Sequence, residues 1–190
     1  MVSLMSLWLP ILLSAVVVFL VSAVIHMVLT YHRNDFERLP GEDEVMAALR
    51  AVAAPPGDYV VPYAGSPAAM KDPAYVEKVK QGPVAFFTVL PPIPSGQPAM
   101  GAQLAQWFVY CLVVSLFAGY IASRALAAGA VGGEVLRFAG TTAFAGYGLA
   151  LLQNSIWWKR KWSATFKSVF DALIYALLTG AVFAWMWPTV

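Results

Sequence analysis

Charge is scarce in this chain. Only 12% of its 190 residues are Asp, Glu, Lys or Arg, about half the roughly 25% of a soluble globular domain. So little charge cannot cover a water-facing surface, which excludes an ordinary soluble fold and points to a membrane class. Hydrophobic residues make up 60%, and the mean hydropathy is +0.69. A net charge of +2 is too small to argue for a nucleic-acid partner. Cysteine is nearly missing. Cys111 alone excludes an intrachain disulfide, and inside an apolar run it reads as a small packing residue. Histidine is almost as rare. His26 and His32, six apart, are too few to make a structural metal site by themselves, so no metal is expected.

Chemistry motifs are missing too. The chain has no GxxxxGK[ST], no GxGxxG on a strand-helix unit, no HExxH and no CxxC. No residue is therefore assigned as catalytic, no cofactor is expected, and the expected class is a non-enzyme.

What the chain does have is long uncharged runs. A bilayer core takes about 20 apolar residues in a helix. Four runs meet that length: 7–30, 104–123, 138–158, and 168–188 with one charge, Asp171. Backbone groups in lipid must be satisfied within the segment, so the runs are predicted as helices. The first run lacks a basic leader and exceeds signal-peptide length, so it is expected to stay as a span. The predicted fold is all-α. Residues 1–32 form the first span, 33–103 a water-side segment of about 70 residues, and 104–190 the other three spans.

Lys and Arg set the orientation. Residues 33–103 and the 159–167 turn share one side, which holds ten basic residues; Arg124 and Arg137 lie on the other. That asymmetry predicts a cytoplasmic 33–103 segment and both termini on the non-cytoplasmic side.

Within 33–103, Glu42, Asp43 and Glu44 begin a predicted helix and Arg50 ends it, as the helix dipole favours. Asp72-Pro73 is a good cap for a second short helix. Tyr59–Val61 and Val84–Leu90 are strand-like and bounded by proline, and are candidates for a small hairpin. Such a segment has too few large apolar residues for a strong core of its own. Its uncharged run 81–101 reads as a proline-rich connector, with a partner-contact surface as the alternative.

Polar residues inside the spans gather toward the cytoplasmic end. His26, Gln106, Tyr110, Gln153, Asn154, Asp171 and Tyr175 make a candidate intramembrane layer. Asp171 matters most, because an ionisable group in a span is costly and faces protein or a cavity. His26 is its candidate partner. Small residues repeat at helical spacing: Ala139 and Ala143, Cys111 and Ser115, and Ala176, Gly180 and Ala184. Such repeats let helices approach closely. Trp157, Trp158, Lys159, Arg160, Lys161 and Trp162 form an aromatic-basic turn suited to the headgroup level. Trp107 is expected at the same interface, and Trp8, Trp185 and Trp187 at the opposite one.

Four stretches, IHMVLTYHRNDFERLPGEDEVMAAL, MKDPAYVEKVKQGPVAF, QWFVYCLVVSLFAGY and QNSIWWKRKWSATFKSVFDALIYALL, together resemble a family of bacterial four-span inner-membrane proteins with no assigned activity. The resemblance implies a bacterial inner-membrane location and transfers no site residue. The expected function is a non-catalytic accessory or scaffold subunit beside a larger membrane complex, photosynthetic or respiratory. Membrane lipids and other integral membrane subunits are its expected partners. The alternatives are a small proton-linked transporter component and a membrane enzyme acting on lipid at the interface.

Overall fold

A computed structural model describes residues 2–190, and the chain is mostly helical. A 3-10 turn, Leu4–Leu7, leads into α1, Trp8–Met27. Then come α2 (Glu42–Val52), β1 (Gly57–Val61), α3 (Pro73–Gln81) and β2 (Ala85–Val89). The chain ends with α4 (Gly101–Ala125), α5 (Gly132–Tyr147), α6 (Leu152–Ile156) and α7 (Trp162–Trp185). Four helical stretches are long and apolar enough to cross a membrane: Leu4–Met27, Gly101–Ala125, Gly132–Ile156 and Trp162–Trp185. The third consists of α5, a 3-10 turn at Leu149–Leu151, and α6.

The bounds differ from those read off hydropathy. The third and fourth helical stretches each begin six residues earlier than 138 and 168, taking in Glu134, Arg137 and Lys167. A hydropathy window stops at charge. A helix does not, because its backbone bonds continue and long charged side chains reach back toward water. The connection between them shrinks from 159–167 to 157–161, where Lys159 takes a positive φ of 56°. Asp171 is seven residues from the centre of the 168–188 run but lies within one turn of the midpoint of α7.

The chain divides into two units. The first comprises the N-terminal residues through Glu37, together with 99–190. Its core has two parts. One gathers Ala15, Val18, Ile25, Cys111, Val114, Ala143, Tyr147, Ala172, Tyr175 and Ala176. The other gathers Leu7, Ala118, Ala122, Val135, Ala139, Phe183 and Trp187. The side chains here are small because the helices lie close. A Cβ added at Gly180 would stand 2.9 Å from the Leu136 carbonyl oxygen and 3.2 Å from Gly140 Cα. Glycine at that point lets α5 and α7 approach backbone to backbone. Ser14 Oγ donates to Ser115 Oγ at 3.0 Å, pairing α1 with α4 where both residues are fully buried. At the far end, Trp187 packs inward and its Nε1 donates to Ala127 O at 2.9 Å. It covers the bundle end rather than projecting from it. Trp8 and Trp185 are exposed.

The second unit is Arg38–Pro98. Asp72 caps α3 by accepting from Ala74 N at 2.7 Å. β1 and β2 pair antiparallel with Gly57 opposite Val89 and Val61 opposite Ala85. Tyr59 stacks on Phe87 with ring centres 5.6 Å apart, and Thr88 Oγ1 donates to Asp58 Oδ1 at 2.6 Å. No residue of this unit is buried, as its shortage of large apolar side chains requires.

Candidate functional site

Asp171 is 2% exposed on α7. A buried carboxylate needs donors. They come from the residues that follow α1. After Met27 the chain leaves the helix and turns twice, with Arg33 N bonded to Thr30 O and Asp35 N to His32 O. These turns lay residues 31–37 along α7, running against its direction. Tyr31 OH donates to Asp171 Oδ1. His32 Nε2 lies 2.8 Å from Asp171 Oδ2, and its Nδ1 lies 2.7 Å from Asp35 Oδ2. Lys167 Nζ, one turn before Asp171, donates to Asp35 Oδ1 at 2.8 Å. Nearer the start of α7, Lys161 Nζ donates to Glu37 Oε1 at 2.7 Å. The strap is thus fastened at three levels, two of them by lysine–carboxylate pairs.

His32 is the centre of this series. Both of its nitrogens face carboxylate oxygens. The ring therefore bridges the carboxylates of Asp35 and Asp171. Burial alone would raise the Asp35 pKa, but hydrogen bonds from His32 and Lys167 outweigh it and hold the group below the usual carboxylate range. Burial, and then the bond to Asp171, push the Tyr31 hydroxyl well above its ordinary range. Glu37 is held low by its bond from Lys161, and Lys161 is raised by the same pairing.

Beside the carboxylate lies a pocket of about 330 Å³, lined by His26, Trp107, Tyr110, Tyr147, Leu151, Ser168, Asp171, Ala172 and Tyr175. The three tyrosines and Trp107 form an aromatic wall. Tyr147 packs edge-on against both Tyr110 and Tyr175, with ring centres 5.8 and 5.6 Å away. Trp107 Nε1 donates to Ser22 Oγ at 2.8 Å, and Tyr110 OH donates to Gly146 O at 2.6 Å. The Tyr175 hydroxyl is buried without a partner, one helical turn from Asp171 on the same face. The Tyr147 hydroxyl neighbours Cys111 and Ser115 but makes no well-formed hydrogen bond. Gly148 helps close this region, since a Cβ there would lie 3.0 Å from Ala172 Cβ. A second, almost wholly apolar pocket of about 300 Å³ lies on the other side of His26 and Trp107, between Phe19, Met100 and Leu104.

The candidate layer is therefore only partly assembled. His26, Tyr110, Asp171 and Tyr175 come together. Gln106 and Gln153 are exposed and do not line the pocket. Asn154 is half-buried in the middle of α6, its carbonyl accepting from the Trp158 and Arg160 backbone N–H groups at 3.2 and 3.1 Å. His26 is not the main partner of Asp171. Its Nε2 stands 4.0 Å from Oδ2 and its side chain is 52% exposed. Tyr31, His32, Asp35 and Lys167 are the site residues the polar-layer reading leaves out. Trp107, expected as an interface marker, is a wall of the pocket. In the 157–162 turn, Trp157, Trp158, Lys159 and Trp162 are exposed, Arg160 is half-buried, and Lys161 is engaged by Glu37.

Compared with protein-family models, curated proteins and solved structures, the chain matches none. The case for function rests on the geometry.

Proposed function

We propose that the chain is a non-catalytic accessory subunit of the bacterial inner membrane, packing beside other integral subunits. The 33–103 segment lies on the cytoplasmic side, and both termini lie opposite, as the distribution of Lys and Arg favours. One observation carries the reading. Away from the Asp171 pocket the bundle interior is closed by packed side chains: Leu7, Val18, Val135 and Phe183 are fully buried, and Ser14 and Ser115 satisfy each other. That packing favours a rigid bundle over a conduit, since a conducting path needs polar groups lining water through its length. The outward faces suit helix packing in lipid. Val109, Val113, Phe117 and Tyr120 form one exposed stripe on α4, and Phe166, Phe170, Leu173 and Leu177 another on α7.

Native purification from source membranes in mild detergent, with mass measurement of the intact particle, tests this. The expected result is stoichiometric co-purifying membrane subunits. A lone chain or homo-oligomer would overturn it.

The bonded series Lys167, Asp35, His32, Asp171, Tyr31 favours a second reading, a proton-linked transporter component. Proton movement coupled to solute uptake in reconstituted vesicles would select it.

A further inference from the structure

His26, His32 and Asp171 each present one donor atom, and the three atoms lie within 4.8 Å of one another. They come from three different places: the last turn of α1, the strap and the middle of α7. The donor set is two imidazoles and one carboxylate. Calcium and magnesium prefer all-oxygen sites, whereas two nitrogens with one oxygen suit zinc and its first-row neighbours. In a tetrahedral site with bonds of about 2.0–2.1 Å, ligand atoms stand about 3.4 Å apart. Here Asp171 Oδ2 is 2.8 Å from His32 Nε2 and 4.0 Å from His26 Nε2. Opening the first gap and closing the second by about 0.6 Å each, and drawing the two imidazole nitrogens from within 4.8 Å to the same spacing, reaches that geometry. His26 can make the move, because its ring is half-exposed and no hydrogen bond holds it.

The surroundings are those of a supported metal centre. Asp35 Oδ2, 2.7 Å from His32 Nδ1, turns Nε2 toward Asp171. A carboxylate behind a histidine is the usual outer support of a metal-binding imidazole. Tyr31 occupies Asp171 Oδ1 and leaves Oδ2 to face the histidines. Lys167 fixes Asp35 in turn. The pocket bordered by His26 and Asp171 supplies an open side, as three-ligand zinc sites need for a fourth, exchangeable ligand.

We propose that His26, His32 and Asp171 bind one divalent transition-metal ion of the zinc class, with Asp35 and Tyr31 as positioning residues and the fourth position open to the pocket. On binding, the proton between His32 Nε2 and Asp171 Oδ2 leaves to solvent, and the freed nitrogen lone pair and carboxylate oxygen turn to the ion.

The test uses untagged full-length protein in nanodiscs, stripped with a chelator and titrated with Co²⁺, then with Zn²⁺. The expected result is one Co²⁺ per chain with the visible bands of a four-coordinate ion, bleached when Zn²⁺ displaces it. His26→Ala separates metal binding from folding, because that ring makes no hydrogen bond and is half-exposed. It should leave the metal-free melt unchanged and weaken binding beyond the roughly 10–100-fold loss expected of Asp35→Asn. Binding of less than one ion per chain, or His26→Ala binding as tightly as the parent, would overturn the assignment.

Discussion

Replacing Asp171 by leucine tests the strap where it is fastened most deeply. The substitution keeps the forked shape of the side chain and removes the acceptor of both Tyr31 and His32. Hydrogen bonds to a charged group contribute about 1.5–3 kcal/mol each. Against that loss stands the relief of desolvating a carboxylate that is 2% exposed. Removing one partner of a buried charged pair typically costs about 3–5 kcal/mol. His32 keeps Asp35 at 2.7 Å, so part of its charge stays compensated. The net loss should be about 2–4 kcal/mol. Equilibrium unfolding in mixed micelles, without metal, reads it directly. Phe170→Leu is the control, since Phe170 is the outward-facing neighbour and its change should leave the midpoint in place. If Asp171→Leu unfolds at the same denaturant fraction as Phe170→Leu, the Tyr31 and His32 contacts do not hold the strap, and the reasoning fails.

Four further outcomes are expected from the packing. Gly180→Ala should cost about 1–3 kcal/mol by forcing a methyl group against a neighbouring backbone, 2.9 Å from Leu136 O. Gly133→Ala, with nothing within 4 Å, should be neutral or stabilising in the same assay. A double-mutant cycle on Ser14→Ala and Ser115→Ala should return a coupling of about 0.6 kcal/mol, the average for hydrogen bonds between membrane helices; zero coupling would mean the 3.0 Å contact does not join the helices. Tyr175→Phe removes a buried hydroxyl that has no partner, so it should melt at or above the parent temperature. A clear drop would show that the hydroxyl is satisfied by a group bound in the pocket.

Much of the bundle can be read from local pattern. Apolar runs mark four helices, since length against bilayer thickness is a one-dimensional property. The small residues at Ala139, Ala143, Ala176 and Gly180 mark the α5–α7 seam, because close approach demands them. Asp171 stands out by its cost in an apolar helix. Its partners do not stand out. Tyr31 and His32 lie outside the apolar run, and the bonds reach across 140 and 139 residues, so depth alone selects His26 instead. A signal was present in the charges: Asp35 and Glu37 descend the strap as Lys167 and Lys161 descend α7. Recognising it requires knowing that the chain folds back after Met27. Gln106 and Gln153 fail for a related reason. Their depth matched the layer, but a residue's direction around its helix depends on how the helices pack, and both point outward.

The central claim is that residues 31–37 lie folded against α7 and close the site around Asp171. Amide hydrogen exchange in nanodiscs, resolved by peptide, measures it most directly. Slow exchange is expected at Arg33 and Asp35, whose N–H groups are bonded within the strap's turns, and faster exchange there in Asp171→Leu. Exchange at these two amides as rapid as in the exposed 92–98 loop, and unchanged by Asp171→Leu, would contradict it.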